Sequence, residues 1–165
     1  MEKGEAYISA EVNSIDDIVS RYSISEYEWI NSDFAEYVEN SAKYIPVEES
    51  IILEISGAKF TEEEQETISR VIKDYFGLEL GDKIIDLEIN KRRAIALGAV
   101  ALVSIIIFFL LYLYTETPIF TELFAFGFWF SCWEAAELGL LDRSELRAEK
   151  LEAGQLASLK IKFID

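Results

Sequence analysis

The chain has 165 residues, enough for one modest domain together with a membrane segment. Its net charge is −16, and residues 1 to 90 carry 22 acidic but only 7 basic side chains, so repulsion from phosphate argues against nucleic-acid binding. Histidine is absent and Cys132 is the single cysteine, which removes Ser–His and Cys–His nucleophile pairs, ordinary zinc sites and any disulfide within one chain.

The first part of the chain predicts one short strand followed by helical segments. The sequence "AYISAEV", residues 6 to 12, is typical of a strand, and Ser14 is a suitable cap for a helix that follows it. Apolar residues keep a helical period over residues 27 to 38, although Asn31 and Ser32 interrupt the pattern. Pro46 is expected to end this segment.

The clearest local pattern begins with the strand-like sequence "ESIILEIS", residues 49 to 56. Thr61 and Glu64 then form a capping box that predicts a helix over residues 61 to 76. The acidic residues in its first turn oppose the helix dipole, so we interpret them as solvated residues near the cap, and we expect neither a metal nor a cofactor there. The sequence "KIIDLEIN" alternates apolar and acidic residues and predicts a strand over residues 84 to 89.

Two apolar segments follow. Residues 94 to 114 contain no charged side chain, and a second apolar segment runs from Pro118 to about Leu141. The sequence therefore predicts two transmembrane helices, at residues 93 to 114 and 118 to 140, joined as a hairpin by the short connection "TETP". Basic residues flank both helices and none lies between them, which predicts that both termini are cytoplasmic. These topology-setting residues are Lys91, Arg92, Arg93, Arg143, Arg147 and Lys150.

The second apolar segment contains Glu122, Glu134 and Glu137. On one interpretation these glutamates mark the two membrane boundaries, because each lies within a few residues of an expected helix end. On the other they form a functional polar sector, because the helical period places all three within one third of the circumference, with Ser131 and Gly127 at its border. Such a sector would favour a second copy of the chain or a water-filled crevice over lipid.

A stripe of small residues on the first apolar segment predicts close helix packing. It consists of Ala94, Gly98 and Ala101, and Gly127 supplies a matching small residue on the second segment. This stripe is the sequence basis for expecting a homo-oligomer.

The C-terminal part predicts a helical extension over residues 141 to 156 and then a strand. In "SLKIKFID" Leu159, Ile161 and Phe163 alternate with Lys160 and Lys162. A lone strand is unstable, so we expect it to join the earlier strands, whose exposed faces are acidic. The predicted fold is therefore an α+β cytoplasmic domain, a small sheet with packed helices formed by residues 1 to 92 and 156 to 165, interrupted by a two-helix transmembrane hairpin.

These features favour a non-enzymatic integral membrane protein. Its acidic cytoplasmic domain would mediate protein–protein interaction or self-assembly, with the lipid bilayer, further copies of the chain and a basic protein as partners. The alternative is an oligomeric pore or ion path lined by the membrane glutamates and gated by that domain. An enzyme that uses carboxylates alone is a third hypothesis, and no motif for metal or nucleotide binding supports it.

Overall fold

The computed structural model describes residues 4–24, 28–114 and 118–164. In chain order the main elements are β1 (Glu5–Val12), α1 (Ser32–Ala42), β2 (Ser50–Gly57), α2 (Glu62–Tyr114), α3 (Pro118–Ala136), α4 (Arg143–Ala157) and β3 (Lys160–Phe163). A 3₁₀ turn lies at Ile15–Asp17, and a π-helical segment at Glu137–Asp142 connects α3 to α4. The chain divides into two compact units: unit 1 is Met1–Lys83 with Glu149–Asp165, and unit 2 is Ile84–Ala148.

The three strands of unit 1 form a parallel sheet in the order β1-β2-β3. Leu53 lies in register with Ile8 on one side and with Ile161 on the other. These residues share the inner face of the sheet, where a continuous apolar core contains Ile51, Leu53, Ile55, Ile68, Ile72 and Phe76. The outer face carries charged pairs instead: Lys162 Nζ lies 2.9 Å from Glu54 Oε1. The prediction that the C-terminal strand joins the sheet opposite acidic side chains is therefore confirmed.

Local capping signals fix the starts of α1 and α2. Asn31 Oδ1 accepts a hydrogen bond from the Asp33 N–H, so the residue that interrupts the helical period is in fact the cap of α1. At α2, Glu64 Oε2 accepts from the Thr61 N–H at 2.8 Å and Thr61 Oγ1 accepts from the Glu64 N–H at 3.3 Å, as the predicted capping box requires. Residue 27 and the connection at residues 115 to 117 lie outside the described residues.

The predicted fold class is wrong in its two-helix transmembrane hairpin. Among the described residues only α2 is long and apolar enough to cross a membrane, judged by length and composition. The predicted span at residues 93 to 114 is the second half of this 53-residue helix. The predicted span at residues 118 to 140 is a 19-residue helix, α3, followed by π-helical backbone, and its glutamates and tryptophans lower its hydropathy.

The predicted strand at residues 84 to 89 is also wrong, because these residues are helical and belong to α2. Within this helix Ile84, Ile85 and Ile89 are exposed, so the alternation of apolar and acidic residues does not mark a buried face. The chain has no proline between Glu62 and Tyr114, and each glycine costs a helix interior only about 1 kcal/mol, so nothing in the sequence stops α2 after its first turns.

Candidate acidic cleft in unit 1

A cleft of about 250 Å³ opens in unit 1 beside α1, α2 and α4. Its rim carries four carboxylates and two ammonium groups, and its wall is apolar. We call it the acidic cleft. The rim residues are Glu39, Lys43, Glu79, Lys83, Glu149 and Glu152, and the wall includes Ile45, Val47 and Leu156.

The volume limits what the acidic cleft can hold. A cavity of about 150 Å³ is enough for benzene, whereas pockets for drug-sized ligands measure roughly 300–1,000 Å³. The acidic cleft lies between these values, so it suits a group of side-chain size.

Helical spacing places the rim residues. Glu79 and Lys83 are four residues apart and therefore lie on the same side of α2. Lys83 Nζ lies 2.7 Å from Glu149 Oε2, so this ion pair joins α2 to α4. Gln155, a buried residue of α4, fixes the other wall: its Nε2 donates to the Pro46 carbonyl at 2.8 Å and to the Glu49 carbonyl at 2.9 Å.

Two rim residues of the acidic cleft, Glu39 and Glu79, interact electrostatically with the nearby Tyr75. The Tyr75 hydroxyl donates to Glu39 Oε1 at 3.1 Å. Burial, followed by the charge of Glu39 and this hydrogen bond, raises the pKa of Tyr75 to about 12. Burial and then the charge of Glu39 also raise the pKa of Glu79, against the opposing charge of Lys83.

The environment of Glu79 explains this shift. Its Oε2 is buried and accepts no hydrogen bond within the described part of the chain. An ionised Glu79 would keep that oxygen away from both water and donors, which is unfavourable. A neutral Glu79 can instead donate to Glu39, so Glu79 retains its proton more readily than a solvated carboxyl does.

The carboxylates are not arranged as a metal site. Across residues 4–24, 28–114 and 118–164, no three acidic or cysteine side chains are grouped so that they could hold a metal ion. The arrangement instead supplies an acidic rim above an apolar wall, which is complementary to a long side chain with a cationic end.

The residues singled out from the sequence as membrane polar groups lie in unit 2, away from this site in the chain. Glu122 and Glu137 are exposed, Glu134 is half-buried and Ser131 is buried. Nearby, the π-helical carbonyl of Leu138 accepts from Asn90 Nδ2 at 3.1 Å. This buried asparagine was not anticipated from the sequence.

The small residues of the predicted packing stripe have different surroundings. Ala101 is buried and Ala94 half-buried, whereas a side chain added at Gly98 would meet open space. One added at Gly127 would contact Ser104 Oγ at 3.9 Å. The packed surface of α2 therefore includes Ser104, which the predicted stripe lacks.

The topology-setting basic residues lie mostly at the surface. Lys91 and Arg92 are ion-paired with Glu88, at 3.9 and 3.5 Å. Lys150 is half-buried. The other five members of the set are exposed: Lys91, Arg92, Arg93, Arg143 and Arg147.

The acidic cleft could not be predicted from the sequence because Glu39, Glu79 and Glu149 lie far apart in the chain. Only the excess of acidic residues before residue 90 gave a signal, and that signal did not locate a site. Comparisons with family models, curated proteins and solved structures found no match to this chain, so the candidate site rests on its own geometry.

Proposed function

We propose that the protein is a membrane-anchored interaction module without catalytic activity, in which the acidic cleft binds a basic side chain of a partner protein. The observation that carries this proposal is the combination, in one cavity of side-chain size, of an apolar wall and a rim with twice as many carboxylates as ammonium groups.

The physical argument concerns lysine and arginine side chains. Their aliphatic stems gain free energy by covering apolar surface while their charged ends remain at a polar rim. In the acidic cleft the stem would contact Ile45, Val47 and Leu156, and the cation would meet the carboxylates. Since Lys83 already neutralises Glu149, Glu39 and Glu152 are the groups left to attract a second cation.

The membrane anchor in this proposal is the apolar half of α2. Residues 94 to 114 lack charge, and their large side chains are mostly exposed in unit 2, which favours lipid over water as their surroundings. Lys91, Arg92 and Arg93 precede this half, and by the positive-inside tendency they favour a cytoplasmic position for the segment of the chain directly before it.

A binding experiment on the full-length protein in detergent micelles tests the proposal. The probes are two fluorescein-labelled octapeptides, one of alternating glycine and lysine and one of alternating glycine and glutamate. The lysine peptide should bind and the glutamate peptide should not. The double variant Glu39→Gln, Glu152→Gln should weaken binding at least tenfold, because charge-assisted contacts are the strong ones at such a site.

The matched control is Glu62→Gln, Glu63→Gln, which makes the same charge change at exposed positions outside the acidic cleft. It should alter binding less than twofold at moderate salt, since distant exposed charges are screened. Equal losses in both double variants, or no binding of the lysine peptide by the unmodified chain, would refute the acidic cleft as the site.

The exposure of Glu122 and Glu137, one within the apolar helix α3 and one directly after it, favours a second candidate function. In a homo-oligomer these carboxylates could line an ion path between copies of the chain. Cation flux into proteoliposomes separates the two functions. Flux that disappears with Glu134→Gln and Glu137→Gln would favour the ion path, whereas no flux together with lysine-peptide binding would favour the interaction module.

A further inference from the structure

A second cavity lies in unit 1, with a volume of about 240 Å³. We call it the Trp29 groove. Its apolar walls are formed by Trp29, Tyr75 and Leu78, and its charged rim by Glu28, Arg70 and Asp74. Trp29 and Leu78 are each 65% exposed, which is unusual for two large apolar residues that face the same cavity.

The backbone of Trp29 is held in place although its side chain is not covered. The Trp29 N–H donates to Ser23 Oγ at 2.9 Å, and its carbonyl accepts from the Ser20 N–H at 2.8 Å. The next residue, Ile30, forms an antiparallel bridge with Val19. An exposed indole on a fixed backbone loses little conformational entropy on binding, which is the property of an interface anchor.

The Trp29 groove and the acidic cleft adjoin through Tyr75. The ring of Tyr75 lines the groove, and its hydroxyl donates to Glu39 on the rim of the acidic cleft. On α2, Leu78 lines the groove while the next residue, Glu79, lines the acidic cleft. Both cavities belong to unit 1, so their separation is fixed by the packing of that unit.

The charges at the rim of the Trp29 groove indicate which side chains it can bind. Arg70 Nη2 lies 2.8 Å from Glu28 Oε2, so these two rim residues neutralise each other and Asp74 leaves the rim acidic. An acidic segment would be repelled there, whereas an apolar side chain next to a basic residue would be complementary to both walls and rim.

We propose that a single extended segment of the partner protein fills both cavities, placing a lysine or arginine in the acidic cleft and a neighbouring large apolar side chain in the Trp29 groove. This inference rests on the proposed function, because it assigns a second contact to the same partner. It restricts the partner to segments in which a basic and an apolar residue are separated by a definite number of residues.

The test uses fluorescein-labelled peptides that contain one lysine and one leucine separated by one to four glycines. In the reference peptides glycine replaces the leucine. Binding to the full-length protein in micelles is measured by fluorescence anisotropy. At one spacing the leucine should strengthen binding about tenfold, since covering a leucine side chain contributes a factor of this order.

Variants of the chain test which residue is responsible for the stronger binding of the leucine peptide. Leu78→Ala should abolish the advantage of the leucine peptide while leaving the reference peptide unaffected. Leu151→Ala is the matched control, because Leu151 is 60% exposed and lines neither cavity. A third measurement uses the Trp129→Phe, Trp133→Phe background, in which the emission of Trp29 should shift to shorter wavelength only with the leucine peptide.

The outcomes distinguish the two proposals. If leucine gives no advantage at any spacing, or if Leu78→Ala preserves the advantage, the two-cavity segment is wrong even when lysine binding still depends on Glu39 and Glu152. If no lysine peptide binds at all, the proposed function fails with it.

Discussion

Tyr75 and Glu39 are joined by a hydrogen bond of 3.1 Å, from the phenol on α2 to the carboxylate on α1. This contact connects the two helices beside the acidic cleft and places a neutral donor next to a carboxylate that already raises the pKa of Glu79. The contribution of this hydrogen bond to stability and the raised pKa of Glu79 can both be tested by experiment.

Tyr75→Phe should lower the free energy of unfolding by about 1–3 kcal/mol, because hydrogen bonds to charged groups contribute that amount. Urea unfolding of the full-length protein in micelles, followed by circular dichroism, measures the loss. Tyr44→Phe is the control, since Tyr44 is 90% exposed. An equal loss in both variants would show that the hydroxyl of Tyr75 contributes nothing specific.

Glu79→Gln should raise the melting temperature at neutral pH and have little effect near pH 4.5, the ordinary pKa of the carboxyl. Because burial and Glu39 raise the pKa of Glu79, the folded chain binds more protons than the unfolded chain above that pH. The stability of the unmodified protein therefore falls as pH rises through the folded pKa. Of the charged groups that act on Glu79, Glu39 and Asp82 favour the proton and Lys83 opposes it.

Melting curves of Glu79→Gln between pH 4.5 and 8 supply the measurement for this effect. Glu48→Gln, at an exposed position, should track the unmodified protein throughout. A benefit of Glu79→Gln that did not depend on pH would contradict the raised pKa of Glu79.

Gln155→Ala should cost about 1–3 kcal/mol, because it removes the side-chain donor from two carbonyls at once. Gln65→Ala, which removes one longer bond of 3.3 Å to the Phe60 carbonyl, should cost less. Chemical denaturation compares the two variants. A smaller effect at residue 155 than at residue 65 would mean that Gln155 does not fasten α4 to the segment before β2.

Leu159→Ala should destabilise the protein by roughly 2–5 kcal/mol, the usual cost of truncating a buried leucine. Leu159 is 4% exposed and belongs to the apolar core, although it lies near the C-terminus. Ile164→Ala, at a residue 38% exposed, should cost much less. Similar small losses at both positions would argue that the tail contributes little to the core.

Val103→Lys should reduce membrane integration, because a lysine at the centre of an inserted helix costs roughly 2.5–3.5 kcal/mol. Val103 lies in the uncharged part of α2 and its side chain is exposed. Alkaline carbonate extraction of membranes from expressing cells measures the integrated fraction. Val103→Ile should behave like the unmodified protein, and indifference to the lysine would argue against α2 as the anchor.

Local interactions in this chain were predictable, and distant ones were not. The Thr61–Glu64 capping box depends on residues three positions apart, and the alternation of Ile161 and Phe163 with lysines is visible in a few letters of sequence. The alternation at residues 84 to 89 misled because Ile85 and Ile89 are exposed on α2 and form no buried strand face. Helix α2 continues after its capping box because the sequence contains no proline that would end it.

The candidate site depends on distant contacts of this kind. Glu39 reaches Tyr75 across 36 positions and Lys83 reaches Glu149 across 66, so no local pattern brings them together. Trp29 carried no signal either, because its 65% exposure and the hydrogen bonds of its backbone are visible only in the folded chain. The sequence did show the excess of acidic residues, to which a basic partner would be complementary.

The place of β3 in the sheet has a consequence for biosynthesis. Of the three strands it leaves the ribosome last, about a hundred residues after β2. At roughly 5–20 residues per second, β2 waits about 5–20 s with one edge unpaired. Nascent chains should therefore depend on chaperones until translation reaches the final strand.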